Sequence, residues 1–194
     1  MEMFFRELAL RLKYFVIKLN YRGRIWFRGV PAIYAFPNSK IVFNCTRKSR
    51  KIHIFSHPLS NLIGINQRVI IIAKCGGYVE INEGVCMSGC TIYSMASIKI
   101  GRNTDIGAGC KIIDNDFHPL QYSHRCPVEQ VDKIKKRPIC IGEGCFLGAN
   151  SIILKGTILG NNRVVGAGSV VHGTWPDNSI IAGNPARLIG ENLI

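Results

Sequence analysis

IGEGCF, LGANSI, ILKGTI, LGNNRV and VGAGSV run without interruption through residues 141–170, and Val171 opens the next block. Each block begins on an aliphatic residue: Ile141, Leu147, Ile153, Leu159 and Val165. Gly comes second in four of the five, and the fifth position holds Cys145, Ser151, Thr157, Arg163 and Ser169. A second run lies upstream: INEGVC, MSGCTI and YSMASI from Ile81, a one-residue slip at Lys99, then IGRNTD and IGAGCK. A period of six fits neither an amphipathic helix nor an alternating strand. It fits a short strand followed by a sharp corner, and three such units close a triangular coil. Coils stacked at the ordinary strand spacing of about 4.8 Å bury the aliphatic first position in the prism. Gly and other small residues then occupy corners, where a Cβ would crowd or φ must be positive. A sandwich with Gly-rich turns fits less well, because its strands share no fixed short period.

Working outward, residues 115–138 break the frame and carry Pro119, Pro127 and Pro138. They read as a loop extruded from a rigid scaffold, a common place for function. Toward the N-terminus, Phe4, Phe5, Leu8, Leu12, Phe15, Val16 and Leu19 recur near helical spacing, with Arg6, Arg11, Lys13 and Lys18 among them. Residues 1–28 are therefore expected to form a basic amphipathic helix or arm, helical to about Asn20–Gly23. Residues 29–190 are expected to form the solenoid domain, with runs at Lys40–Phe43, Lys51–Phe55 and Val69–Ala73 as imperfect first coils. Charge follows the same division. The 194-residue chain has net charge +13, yet residues 1–51 hold 12 basic and two acidic residues, and residues 52–194 hold 13 and 10. Such an arm seeks phosphate. Its apolar face either packs on the domain or a neighbouring subunit, or attaches to an anionic membrane. It matches no nucleic-acid recognition motif, so no nucleic-acid partner is expected. The eight cysteines show no CxxC. With charges interrupting the N-terminal apolar run and no stretch long enough to span a bilayer, free thiols in a reducing cytosol are expected.

The frame breaks at IIDNDFHPL, residues 112–120. His118 follows Asp114 and Asp116 there, and an imidazole beside a carboxylate is a competent general base. The carboxylate fixes one ring N–H while the other nitrogen takes the proton of an attacking hydroxyl.

DFHP after a hexad run, the unbroken hexads 141–171 and the closing AGNPAR at residues 182–187 together resemble one family. It is the hexapeptide-repeat, left-handed parallel β-helix family of acetyl-CoA-dependent O-acetyltransferases, in its sugar and polysaccharide branch. The likeness covers about residues 78–190. It implies an all-β left-handed β-helix, a homotrimer with an active site in each groove between prisms, and acetyl-CoA as acyl donor. The free thiols and the basic arm, in turn, lead us to expect a cytoplasmic protein, peripheral at the inner membrane face where the arm binds lipid. His118 takes the family's general-base position. Gly148, Ala149, Gly166 and Ala167 take the small corner positions along which the pantetheine runs. Arg187 falls near the nucleotide end, where charge-assisted pairing with phosphate is natural, and Lys155 contributes. Asp114 and Asp116 are both candidates to orient His118, with Asp116 preferred.

Departures bear on the acceptor. Phe146 stands where many relatives have Trp, and Ser88–Gly89 where the galactoside-acetylating relatives place an Asn. These argue against a simple galactoside or maltose enzyme. The expected reaction is direct transfer to a sugar hydroxyl in surface polysaccharide biosynthesis. The alternatives are serine, an amino sugar or an antibiotic hydroxyl with the same chemistry, and a non-enzymatic membrane-associated scaffold. A γ-type carbonic anhydrase shares the fold but needs three His ligands. His118 and His124 are six apart, and His53, His57 and His172 lie in no matching motif, so no metal is expected.

Overall fold

The structure, a computed structural model, describes residues 24–46, 50–56, 67–125 and 130–192. The chain winds as a left-handed parallel β-helix whose strands return to three sheets in turn. The first coil is β1 (Ile25–Arg28), β2 (Ala32–Ala35) and β3 (Lys40–Asn44), and the second β4 (Ile52–Phe55), β5 (Ile70–Ala73) and β6 (Tyr78–Asn82). The third is β7 (Cys86–Ser88), β8 (Thr91–Ser94) and β9 (Ser97–Ile100). The fourth is β10 (Asp105–Ile106), β11 (Lys111–Ile113) and, after the extruded loop, β12 (Ile139–Ile141). The fifth is β13 (Phe146–Leu147), β14 (Ile152–Leu154) and β15 (Ile158–Leu159), and the sixth β16 (Val164–Val165), β17 (Val170–Val171) and β18 (Thr174–Trp175). β19 (Ser179–Gly183) opens a seventh, and β20 (Ala186–Glu191) folds back antiparallel onto it. We name the sheets A, B and C after β1, β2 and β3.

The expected inward positions are the core. Met87, Ile106, Leu147, Val165 and Ile181 stack in register along sheet A. Ile71, Ile92, Ile112, Ile153 and Val171 do so along sheet B, and Ile81, Ile100, Ile141 and Leu159 along sheet C. Each of these is at most 3% exposed. The slip at Lys99 has a simple cause: β9 is four residues long and turns both Ile98 and Ile100 inward.

The two roles foreseen for corner glycines fall at different positions of the hexad. The fourth position carries the positive φ, at Gly144 (65°), Asn150 (60°), Gly156 (77°), Asn162 (53°) and Gly168 (70°). Asn serves as well as Gly because it tolerates the left-handed region. The second position is small because the next coil is close. A Cβ on Gly148 would lie 2.5 Å from the Ala167 nitrogen, and one on Gly142 would lie 2.6 Å from Gly160 backbone.

One corner breaks the small-residue rule. Along sheet A, Thr104, Cys145 and Arg163 precede successive strands and Ser179 opens the next, and all are buried. Arg163 is 0% exposed, and its Nε, Nη1 and Nη2 have no hydrogen-bond partner among the described residues. Burial pulls the guanidinium below its ordinary range. An unpaired buried polar group costs about 1–3 kcal/mol, partly offset here by the packing of the side chain's stem. Arg163→Ser restores the corner pattern and is expected to stabilise the prism by about 1 kcal/mol. Urea unfolding checks this, and a lower midpoint for the variant would show that the guanidinium contributes to the fold.

The arm expected over residues 1–28 needs correction at its end. Residues 25–28 are strand β1, paired in parallel with β4, so the solenoid begins four residues earlier than expected. The cause is legible in IWFR: Ile25 is buried, Trp26 is exposed, and Ile25 and Phe27 stack on Ile52 and Ile54. The expected helix itself lies outside the described residues. No helix among the described residues is long and apolar enough to cross a membrane.

Candidate active site

Where β11 ends, the chain must leave the corner between sheets B and C. Asp114 makes this possible. Its carboxylate is fully buried and accepts from Ser94 Oγ (2.6 Å), Met95 N (2.7 Å) and Ala96 N (2.9 Å), the turn of the preceding coil. Asn115 Nδ2 adds a fourth bond at 3.1 Å. Of the two candidate carboxylates, Asp114 is thus spent on clamping the corner. Asp114→Ala strands three donors in the interior and is expected to cost about 3 kcal/mol or more, measured by denaturant unfolding.

The next residues are held in an unusual shape. Phe117 has φ +60°, uncommon for a bulky residue, and is fixed by a bond from its N to Asn115 Oδ1 (2.9 Å) and by ring contact with Tyr93 at 4.8 Å between centroids. Left-handed backbone at such a residue is typical of functional sites. It lifts His118 onto the surface at the foot of the loop, with His118 N donating to Asp116 O at 2.6 Å. Asp116 Oδ1 pairs with Lys155 Nζ, while Oδ2 is buried with no hydrogen-bond partner among the described residues. The returning chain closes the neck. Asn115 bridges Lys136, Asp116 N donates to Lys135 O (3.0 Å), and Arg137 N donates to Asp114 O (2.9 Å).

A second constellation lies on the corner between sheets A and B. Gly148–Ala149 follow β13 and Gly166–Ala167 follow β16, one coil on. Ala182 continues this ridge, since a Cβ on Gly166 would meet the Ala182 Cβ at 2.8 Å. Arg187 is the register partner of Ala182 on β20, exposed, with Nη1 on the Ala186 carbonyl (2.9 Å). Five of the six expected cofactor residues therefore share one ridge. Lys155 does not: it follows β14, on the corner of Asp116 and His118.

One side of the triangle, sheet B, separates the two constellations. One outward register column is apolar throughout, Tyr34, Ile72, Tyr93, Ile113 and Leu154, and the next runs Ile70, Thr91, Lys111, Ile152 and Val170. Phe146 lies on sheet A, exposed, beside the ridge.

Among the described residues seven cysteines are free, and burial pushes the thiols of Cys45, Cys86, Cys90, Cys110 and Cys145 above their ordinary range. A thiol so placed is poor in the reactive thiolate. Among the described residues no three His, Cys, Asp or Glu side chains are grouped to hold a metal ion.

The reading missed Lys135, Lys136 and Arg137. KIKKR at residues 133–137 was a visible signal, but a basic run inside a loop carries no frame that says where it lands.

Comparison with known proteins agrees with this geometry. Residues 138–172 match the model of a hexapeptide repeat of succinyl-transferase. The chain is 38% identical over 117 residues to a lipopolysaccharide biosynthesis O-acetyl transferase of Escherichia coli K12, WbbJ, covering 57% of this chain and 56% of that protein. It is 35% identical over 92 residues to an acetyltransferase of Bacillus subtilis 168, YvoF, covering 47% and 46%. The chain thus spans about half the length of these curated relatives. Among solved structures it is similar to the polySia-specific acetyltransferase NeuO (TM-score 0.55, 21% identity, 88% of this chain and 71% of that one). It is also similar to AntD, an N-acyltransferase from Bacillus cereus (TM-score 0.59, 18% identity, 91% and 88%). At these identities the two structures speak for the fold.

Proposed function

We propose that this protein transfers an acetyl group from acetyl-CoA to a hydroxyl of a sugar, as a homotrimer, in the cytoplasmic assembly of a surface polysaccharide. The observation that carries this reading is the placement of the two constellations. His118 stands on one edge of sheet B, and the small-residue ridge ending at Arg187 stands on the other. A second prism set against the apolar face of sheet B brings the ridge of one copy toward His118 of its neighbour. The names of the curated relatives supply the reaction class.

The steps follow from the residues. His118 accepts the proton of the sugar hydroxyl as its oxygen attacks the thioester carbonyl. Asp116, two residues before His118 and paired with Lys155, is the carboxylate assigned to support the imidazolium. A corner amide on the ridge meets the oxyanion. The tetrahedral intermediate collapses by breaking the C–S bond, and the proton passes to the departing thiolate, a good leaving group that needs little acid help. The products are the sugar acetyl ester and coenzyme A. No covalent acyl-enzyme is required.

The test is acetyl-CoA turnover by the full-length protein, read as free-thiol release across neutral sugars, acidic sugars, sugar nucleotides, amino sugars, serine and lipid-linked glycans. Turnover with a glycan hydroxyl supports the reading, and release with none of them overturns it. Membrane association through the basic N-terminal residues belongs to the same proposal. Sedimentation of the full chain with anionic vesicles at low salt supports it, and indifference to them removes it.

A further inference from the structure

We infer that the cleft at the neck of the extruded loop is an acceptor site for an anionic glycan, one that carries carboxylate or phosphate groups. This rests on the proposed acetyl transfer and narrows its substrate class.

The cleft is lined by four cations, Lys135, Lys136, Arg137 and Lys155, and two carboxylates, Asp116 and Asp132, over the buried Ile134 and beside Leu120. A second hollow, lined by His124 and Lys133, shares Leu120 and Lys135 with it, so the two form one groove along the loop. The carboxylates are already taken: Asp116 by Lys155, and Asp132 by Lys133 at 3.5 Å. That leaves Lys135, Lys136 and Arg137, three successive cations, with no carboxylate partner among the described residues.

Their backbone is not loose. The Asp116–Lys135 and Asp114–Arg137 bonds pin it on one side, and Gly156 N donates to Arg137 O (3.3 Å) on the other. Lys136 Nζ reaches the Cys75 carbonyl at 3.5 Å. The cations are thus presented on a fixed backbone, which lowers the ordering cost of binding. Three adjacent positive charges repel one another, and an anion in the groove relieves that repulsion.

The phosphates of coenzyme A are the alternative occupant. They fit the other end of the site better. Arg187 lies on β20, four strands beyond β10 of the fourth coil in sheet A, so about 19 Å along the prism separates it from the cleft at the strand spacing. The cations sit level with His118, where the acceptor hydroxyl is deprotonated.

Titration calorimetry of the full-length protein tests this with three probes: trigalacturonate, glucose 1-phosphate and the neutral maltotriose. At least one anionic probe is expected to bind tenfold or more tightly than maltotriose, with an affinity that falls as salt rises. The two anionic arms tell carboxylate from phosphate. In Lys135→Gln/Arg137→Gln that affinity should fall about tenfold, while the affinity for coenzyme A stays within twofold of wild type. Both side chains are exposed, so an unchanged melting temperature serves as the folding control. Equal binding of maltotriose, an unaffected double variant, or a parallel loss of coenzyme A affinity overturns the proposal. Efficient turnover of neutral acceptors alone would sink it and leave acetyl transfer standing. Anion binding without coenzyme A binding would do the reverse.

Discussion

His118→Ala is expected to lower acetyl transfer by about 10²–10⁴-fold, the usual loss when a general base is removed. The prism should survive. His118 is exposed at the foot of the loop, outside the inward columns, and the corner beneath it is held by Asp114 rather than by the imidazole. Free-thiol release with the best acceptor measures the effect, with melting temperature and oligomeric mass as controls. A variant that keeps more than half the wild-type rate would mean that another group takes the proton. His118→Gln, which keeps a hydrogen-bonding side chain but no base, should fail as completely as alanine.

Ala167→Tyr should block coenzyme A without disturbing the solenoid. The choice of position follows from the two kinds of corner residue. Gly148 is buried, and a Cβ there would meet backbone at 2.5 Å, so its replacement tests stacking as much as binding. Ala167 already carries a Cβ and is exposed on the ridge. A ring added there meets whatever runs along the ridge before it meets the protein. Affinity for coenzyme A, by calorimetry, is expected to fall at least about 100-fold, or about 2.7 kcal/mol. Unchanged affinity would put the cofactor elsewhere and leave the small residues with a purely architectural role.

The hexads from Ile141 onward were legible because every buried first position recurs at a strict interval, and the chain has no freedom to hide it. The early coils were less so. β3 and β6 are five residues long against two in β15, and the corner lengths between them vary, so no single frame runs through. The strand-like runs near Lys40, Lys51 and Val69 still mark β3, β4 and β5, because a buried strand needs apolar residues whatever its length. The end of the arm was misjudged, since four residues of strand following a basic apolar stretch offer too short a period to detect. At the site, the ridge could be read because Gly148 and Gly166, like Ala149 and Ala167, lie one 18-residue coil apart. Lys155 breaks that interval and lands on a different corner, an error that the arithmetic of the coil could have caught. The basic return segment 135–137 could not be placed, because only the pairing of Asn115 with Lys136 brings it back to the prism.

The insertion in the fourth coil is thermodynamically cheap for the scaffold. Ile141 pairs with Leu159, 18 residues on, the interval of three hexads, whereas Ile98 must find Ile139 across 41 residues. Closure entropy grows only with the logarithm of the span, and a doubling adds about 0.6 kcal/mol. The prism can therefore carry a loop of almost any length at that point, provided that Asp114 and the Asn115–Lys136 bridge close its neck. Lineages of this solenoid are free to rewrite what the loop recognises while the transfer machinery stays fixed. Divergence in acceptor preference should then track residues 117–137, and leave the inward columns nearly untouched.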